Sequence, residues 1–156
     1  NDYALARALH VLAIVMWVGG VGFVTTVLIP AIRRRFPADQ QYAMFEDVEH
    51  RFGAQARFWV LLALASAGWM LHSSDSWARL HDTGWLHLMI AAWLPFFLML
   101  FVLEPFIVHR WLKQRAQRDP AGTMARVQWL HVALLGLSLA AVLAGVVGAH
   151  GGWRLA

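Results

Sequence analysis

The sequence predicts an all-α fold: an integral membrane, antiparallel four-helix bundle with a short amphipathic cytoplasmic helix between its first two spans. The first observation is composition, because 60% of the 156 residues are hydrophobic and 14% are charged, whereas about 25% of a soluble domain is charged. The second is four apolar segments, each close to the roughly 20 residues that cross a bilayer core. The third is that nearly all eight histidines lie near the ends of these segments, where burying an imidazole is costly unless something binds it.

The four spans form a single transmembrane domain, residues 1–156. Their predicted bounds are about residues 5–32, 55–71, 85–111 and 127–149. Between the first two spans, residues 38–52 place apolar side chains at helical spacing and acidic side chains on the other faces. This pattern is typical of an amphipathic helix at a membrane surface. Gly53 follows, and we expect it to separate that helix from the second span.

The positions of the basic residues predict the orientation. Ten of the thirteen Lys and Arg residues flank or occupy the connections between spans one and two and between spans three and four. Because positively charged loops stay in the cytoplasm, we expect a protein of the bacterial inner membrane with both termini in the periplasm. The basic residues fall in two short loops rather than along a folded face, so the sequence predicts lipid and not nucleic acid as partner.

Small residues predict close helix packing. Span one contains Gly19 and Gly20, and span four repeats glycine or alanine at intervals of four from Gly136 to Gly148. Small residues at this spacing let helix backbones approach each other in a membrane. The approach takes place either within the chain or between copies of it in a homo-oligomer.

Histidine is the candidate ligand type, because the chain has no cysteine and a metal must bind through histidine, methionine, carboxylate or backbone oxygen. Following each span in its predicted direction places His10, His72 and His87 toward the periplasmic side and His131 toward the cytoplasmic side. Neutral imidazole is the usual axial ligand of b-type haem, which facing helices of a bundle can hold. We favour His10 and His87 as the axial pair, with Met89 as an alternative ligand. Packing or headgroup contact is the alternative role for each histidine.

Two tryptophans fall in the middle of spans instead of at the expected membrane interfaces. They are Trp17 in span one and Trp93 in span three. Each is expected either to pack in the core of the bundle or to form the wall of a pocket for a planar cofactor.

Glu104 is the only carboxylate well inside a predicted span. Pro105 follows it and, in an α-helix, frees the carbonyl of Phe101 and bends the chain. Because an ionisable residue in the membrane is by default a functional candidate, Glu104 is expected to transfer protons or to contact a quinone. Snorkelling toward Arg110 and a structural bond within the bundle are the alternatives.

Two short stretches resemble a known group of membrane proteins. Residues 9–13 (LHVLA) with 17–20 (WVGG) look like the first-helix signature of the copper-resistance D-type proteins and of the HemJ-type protoporphyrinogen oxidases, and residues 84–89 (GWLHLM) resemble a later helix of the HemJ-type group. The resemblance implies a four-helix, haem-associated bundle in which His10 matches the histidine of the first motif. The HemJ-type pattern has lysine at the position of Met89 here, so the resemblance implies haem binding rather than protoporphyrinogen oxidation.

These observations predict a protein that binds b-type haem and transfers single electrons, with a quinone or a redox protein as partner. One haem, or two if the cytoplasmic histidines bind a second, is expected. Copper binding or copper transport is the alternative, since periplasmic histidine and methionine suit copper. A third hypothesis is a structural subunit of a respiratory complex, without a cofactor of its own.

Overall fold

The computed structural model of the chain describes residues 1–152, apart from the side chains of Ile107 and His109. Residues 1–152 are almost entirely helical and contain no strand. The helix bounds are as follows. Helix α1 comprises Asp2–Phe23, a π-helical turn Val24–Leu28 and Ile29–Arg35; α2 is Ala38–Ser73; α3 is the short Arg79–Asp82; α4 comprises Gly84–Leu98, a π-helical segment Met99–Val108 and His109–Arg118; and α5 is Pro120–Ala149.

Four of these helices are long and apolar enough to cross a membrane, which confirms the predicted number of spans. The membrane candidates are Asp2–Arg35, Ala38–Ser73, Gly84–Phe106 and Pro120–Ala149. Their outward surfaces are apolar; Phe106, Trp129 and Leu143 are 76%, 73% and 67% exposed. Such large exposed apolar side chains on every long helix are typical of a bundle that has lipid around it.

The predicted break at Gly53 is wrong. The amphipathic segment and the second span form one continuous helix, α2, of 36 residues, which is about 54 Å long at 1.5 Å per residue. Gly53 is buried inside it and lies against the carboxylates of Glu49 and Glu104. A Cβ at this position would make ordinary van der Waals contacts with both groups, so Gly53 marks the place where Glu104 of α4 approaches Glu49 of α2.

Neighbouring long helices run in opposite directions. Early in α1, His10 contacts Ala63 near the end of α2, whereas Gly20, later in α1, lies against the ring of Phe52, which is earlier in α2. At the start of α4, Trp85 lies against Gly148 at the end of α5. The bundle therefore has a terminal end, which holds residue 1, the connection 74–83 and residue 150, and a basic end, which holds the connections at 36–37 and 119.

The buried core consists of two clusters along the bundle. The central cluster joins α1, α2 and α4 through residues that include Trp17, Val60 and Phe96. The second, nearer the basic end, includes Ile29, Phe45 and Met124 of α1, α2 and α5. Phe52 packs against both clusters, so the apolar interior is continuous from the middle of the bundle to its basic end.

Each π-helical segment has a proline nearby: Pro30 follows the first segment, and Pro105 lies inside the second. Each proline leaves one carbonyl without a backbone donor. In a π-helix the N–H of residue i+5 bonds to the carbonyl of residue i, and Pro30 and Pro105, which lack an N–H, stand five residues after Thr25 and Leu100. Gln128 of α5 donates from Nε2 to the Thr25 carbonyl at 3.0 Å. The corresponding donor to Leu100 is Arg57, so each freed carbonyl is satisfied by a side chain from a neighbouring helix.

Candidate functional site

His10 joins α1 to α2 through its ring. Its Nδ1 lies 3.0 Å from the Ala63 carbonyl oxygen and 3.1 Å from the Ser66 hydroxyl. The Ser66 hydroxyl donates to the Leu62 carbonyl at 2.6 Å, and a carbonyl can only accept, so Nδ1 carries the proton. In the neutral ring Nε2 then holds a free lone pair, which is the state required of a metal ligand.

The other predicted ligands at the terminal end contact residues different from those that His10 contacts. His87 is exposed, and its Nε2 lies 2.6 Å from the carbonyl oxygen of Leu80. His72 is exposed near the end of α2, with its ring centroid 6.1 Å from that of Trp69. The rings of His10 and His87 therefore hydrogen-bond to separate carbonyl groups. The methyl group of Met89 lies against Gly145, where α4 packs on α5.

Trp17 and Trp93 both pack in the centre of the bundle. Trp17 is 3% exposed and meets Phe96 edge-on at 4.8 Å between ring centroids. Trp93 stacks on Phe97 at 4.7 Å and donates from Nε1 to the Val60 carbonyl at 3.0 Å. The Nε1 of Trp17 is buried and has no hydrogen-bond partner among the described residues, so Trp17 leaves an unsatisfied donor in the apolar interior, seven residues after His10 on the same helix face.

His131 occupies the half of the bundle nearer the basic end. Its Nδ1 lies 2.8 Å from the carbonyl of Val127 one turn earlier, and its ring meets Phe45 edge-on at 5.6 Å between centroids. Like His10 it is partly buried. The side chain of His109, expected on the same side, lies outside the described part of the chain.

Glu104 forms an ion pair with Arg57, and Arg110 is not its partner. The Nη2 of Arg57 lies 3.3 Å from Oε2 of Glu104, and its Nε donates to the Leu100 carbonyl at 3.1 Å. The predicted free carbonyl was that of Phe101, but the π-helical spacing shifts the effect of Pro105 by one residue, to Leu100. Among the described residues, Oε2 of Glu104 is buried and accepts no well-aligned hydrogen bond.

A second carboxylate, Glu49, lies beside this pair. Glu49, Gly53 and Arg57 follow each other at intervals of four and share one face of α2. A Cβ placed on Gly53 would lie 3.4 Å from Oε1 of Glu104 and 3.7 Å from Oε1 of Glu49. Arg57 is one of the ten basic residues that predict the orientation, and Glu49 is one of the acidic residues on the polar faces of residues 38–52. Their spacing of four could have marked one polar stripe on this helix, but not its contact with Glu104 of α4.

Within residues 1–152, no three His, Asp or Glu side chains stand close enough together to hold one metal ion. A b-type haem needs only one or two axial ligands, and His10 meets the chemical requirement for one. The chain matches no family model, and no curated protein or solved structure is significantly similar to it. The residues themselves therefore carry the functional argument.

Proposed function

We propose that the chain is a b-type haem-binding protein of the bacterial inner membrane that exchanges single electrons with a quinone or a redox protein. The observation that carries the proposal is the state of His10. Its ring lies partly buried between α1 and α2, with Nδ1–H held by the Ala63 carbonyl and the Ser66 hydroxyl and with no hydrogen-bond partner for Nε2 among the described residues.

This arrangement matches what metal-bound histidines require. A ligating histidine almost always donates its other ring N–H to a carbonyl, a carboxylate or water, which sets the tautomer and orients the ring. Burying an imidazole among apolar side chains is costly, and a metal bound to Nε2 would offset that cost. The unsatisfied N–H of Trp17, two turns along the same face, is a second polar atom in the same interior that a ligand would satisfy.

His87 is the proposed second ligand. Its Nε2 faces the Leu80 carbonyl, so that nitrogen carries the proton and Nδ1 holds the lone pair. Both histidines thus have one ring nitrogen bonded to a carbonyl and one available to a metal. His72 and Met89, at the same end of the bundle, are the remaining candidates for this position.

A haem with two protein ligands supplies one-electron chemistry and no open position for a substrate. In this proposal His10 and His87 would bind the iron and Ala63 and Ser66 would orient His10, while Trp17 and Trp93, which pack in the core, would keep water out of the interior. The ten basic residues on the other side of the bundle favour a cytoplasmic basic end and a periplasmic haem.

The test is an absorbance measurement on protein purified in detergent from cells that make haem. We expect reduced-minus-oxidised bands of b-type haem and iron in proportion to protein. His10→Ala should lower haem content at least about tenfold, because it removes an axial ligand, and His87→Ala should lower it as well. The matched control is His81→Ala, because His81 is exposed on α3 and should leave the haem content unchanged.

Metal analysis of the same sample separates the proposal from its alternative. Iron with porphyrin supports it. Copper without porphyrin would contradict it and favour copper binding by the terminal-end histidines. A stable protein that binds neither would also contradict it and favour a structural subunit.

A further inference from the structure

Two carboxylates and one guanidinium meet where α2 and α4 cross near the basic end. Glu49 and Glu104 both lie within van der Waals range of the position of a Gly53 Cβ, and Arg57 lies 3.3 Å from Glu104. The side chain of Glu104 is 17% exposed and that of Arg57 is 36% exposed. With both carboxyls ionised, these three side chains together would carry one net negative charge.

Two further contacts limit how this charge can be neutralised. The Nε–H of Arg57 already donates to the Leu100 carbonyl. The guanidinium therefore interacts with a neutral carbonyl oxygen as well as with the Glu104 carboxylate. Oε2 of Glu104 is buried and accepts no well-aligned hydrogen bond from the described residues. Nη2 of Arg57 lies 3.3 Å from that oxygen but is poorly aligned with it, so the negative charge there is incompletely compensated. A proton on one of the two carboxyls would remove one charge from the site.

The groups around the site make a second negative charge still less favourable. Glu46 and Tyr42 lie on the same helix as Glu49. The negative charge of Glu46 disfavours ionisation of Glu49, and the charges of Glu49 and Glu104 both disfavour ionisation of Tyr42. Arg57 is the cation that acts on Glu49. Like charges near each other in a poorly solvated site make it costly to ionise both groups, and this cost favours a proton on one of the two carboxyls.

We propose that Glu49 and Glu104 share one exchangeable proton beside Arg57, so that this cluster is a proton-exchange site that opens toward the basic end of the bundle. The proton comes from water and returns to water, and no electron moves in the exchange. The partial exposure of Arg57 provides the path to water. The inference goes beyond electron transfer and does not depend on haem, because every group that carries it belongs to the chain.

The experiment is infrared spectroscopy of the protein in lipid nanodiscs, titrated with acid and base in H₂O and in D₂O. A protonated carboxyl has a C=O stretch separate from the amide and carboxylate bands. We expect such a band in the wild-type protein at neutral pH, with a shift in D₂O. Glu49→Gln and Glu104→Gln should each abolish it, because the remaining carboxylate is then balanced by Arg57 and ionises.

Arg57→Gln should strengthen the band instead of abolishing it. Two carboxyls without a cation beside them hold the shared proton more strongly, so the band should persist to higher pH.

Asp47→Asn is the matched control, because Asp47 is an exposed carboxylate on the same helix and should leave the band unchanged. The isotope shift of the wild-type band needs no variant, so it tests the site even if a substitution prevents folding. Absence of the wild-type band at neutral pH, or its survival unchanged in both glutamine variants, would overturn the proposal.

Discussion

Arg57 of α2 contacts two polar groups of α4, the Glu104 carboxylate and the Leu100 carbonyl. Its Nη2 lies 3.3 Å from the Glu104 carboxylate, and its Nε donates at 3.1 Å to the Leu100 carbonyl, which Pro105 leaves without a backbone donor. The proline and the carboxylate are adjacent in sequence, so one forked side chain reaches both. This contact ties α2 to α4 near the basic end, and the ion pair there is only partly exposed.

Substitution of Arg57 tests this link. Arg57→Gln leaves the Glu104 carboxylate without its cation and the Leu100 carbonyl without its donor. Because an unsatisfied buried polar group costs about 1–3 kcal/mol and the partial exposure of Arg57 reduces that cost, we expect a loss of roughly 1–2 kcal/mol, measured by thermal unfolding in detergent. Arg51→Gln, on the exposed face of the same helix, should change stability by less than about 0.5 kcal/mol.

The double variant Arg57→Gln/Glu104→Gln identifies the source of that loss. If the two side chains interact, the double variant should lose less stability than the two single variants together. Strict additivity of the two losses would show that the ion pair contributes nothing.

Adjacent glycines in α1 provide a matched pair of substitutions. A Cβ on Gly20 would overlap the ring of Phe52, whereas a Cβ on Gly19 would meet nothing within 4 Å. Gly20→Ala should therefore cost about 1–3 kcal/mol by overpacking. Gly19→Ala should be neutral or stabilising by up to about 1 kcal/mol, because alanine favours the helix. Equal unfolding temperatures for the two variants would contradict the close approach of α1 and α2.

Ser66 tests the orientation of His10 without removing the histidine. Ser66→Ala removes one of two acceptors for Nδ1–H and leaves the Ala63 carbonyl. Groups that orient a metal ligand typically contribute 10–100-fold to affinity, so under the proposed function we expect at least about tenfold weaker haem retention, measured by competition with apomyoglobin. Ser138→Ala is the control, because Ser138 is equally buried and bonds only to Leu134 of its own helix. Similar haem loss in both variants would rule out a specific role for Ser66.

Cysteine labelling tests the predicted orientation, because the chain has no natural cysteine. Ser74→Cys places a thiol in the exposed connection at the terminal end, and Gln117→Cys places one at the exposed basic end. With a periplasmic terminal end, a membrane-impermeant maleimide should label Ser74→Cys in spheroplasts and Gln117→Cys only after lysis. The reverse pattern would invert the protein in the membrane and place both proposed sites on the opposite sides.

Hydropathy was sufficient to predict the number and approximate positions of the spans, because about 20 consecutive apolar residues have few stable arrangements other than a membrane helix. The amphipathic pattern predicted a helix from residue 38, but hydropathy did not show that α2 continues without a break from Ala38 to Ser73. Gly53 was expected to break the helix, yet it is buried inside a continuous one. A glycine costs a helix only about 1 kcal/mol, which the packing of neighbouring residues outweighs.

Within the candidate sites, the sequence predicted some of the residues and only the structure identified the others. Sequence position marked His10 and Glu104, because a polar side chain within an apolar span is conspicuous wherever the helices lie. Their partners Ala63, Ser66 and Arg57 could not be predicted, because they lie on another helix at separations of 47 to 56 residues.

By itself the sequence determined that this chain has four segments long and apolar enough to cross a membrane, and which side chains within them are polar, since both properties depend on local composition. Only the tertiary structure decided that Nδ1 of His10 bonds to α2, that Arg57 reaches Leu100 and Glu104, and that Glu49 and Glu104 approach each other beside Gly53. The physical reason is that a hydrogen bond or an ion pair depends on distances of a few ångströms between helices. Those distances follow from how the helices pack against one another, which the pattern within a single helix does not contain.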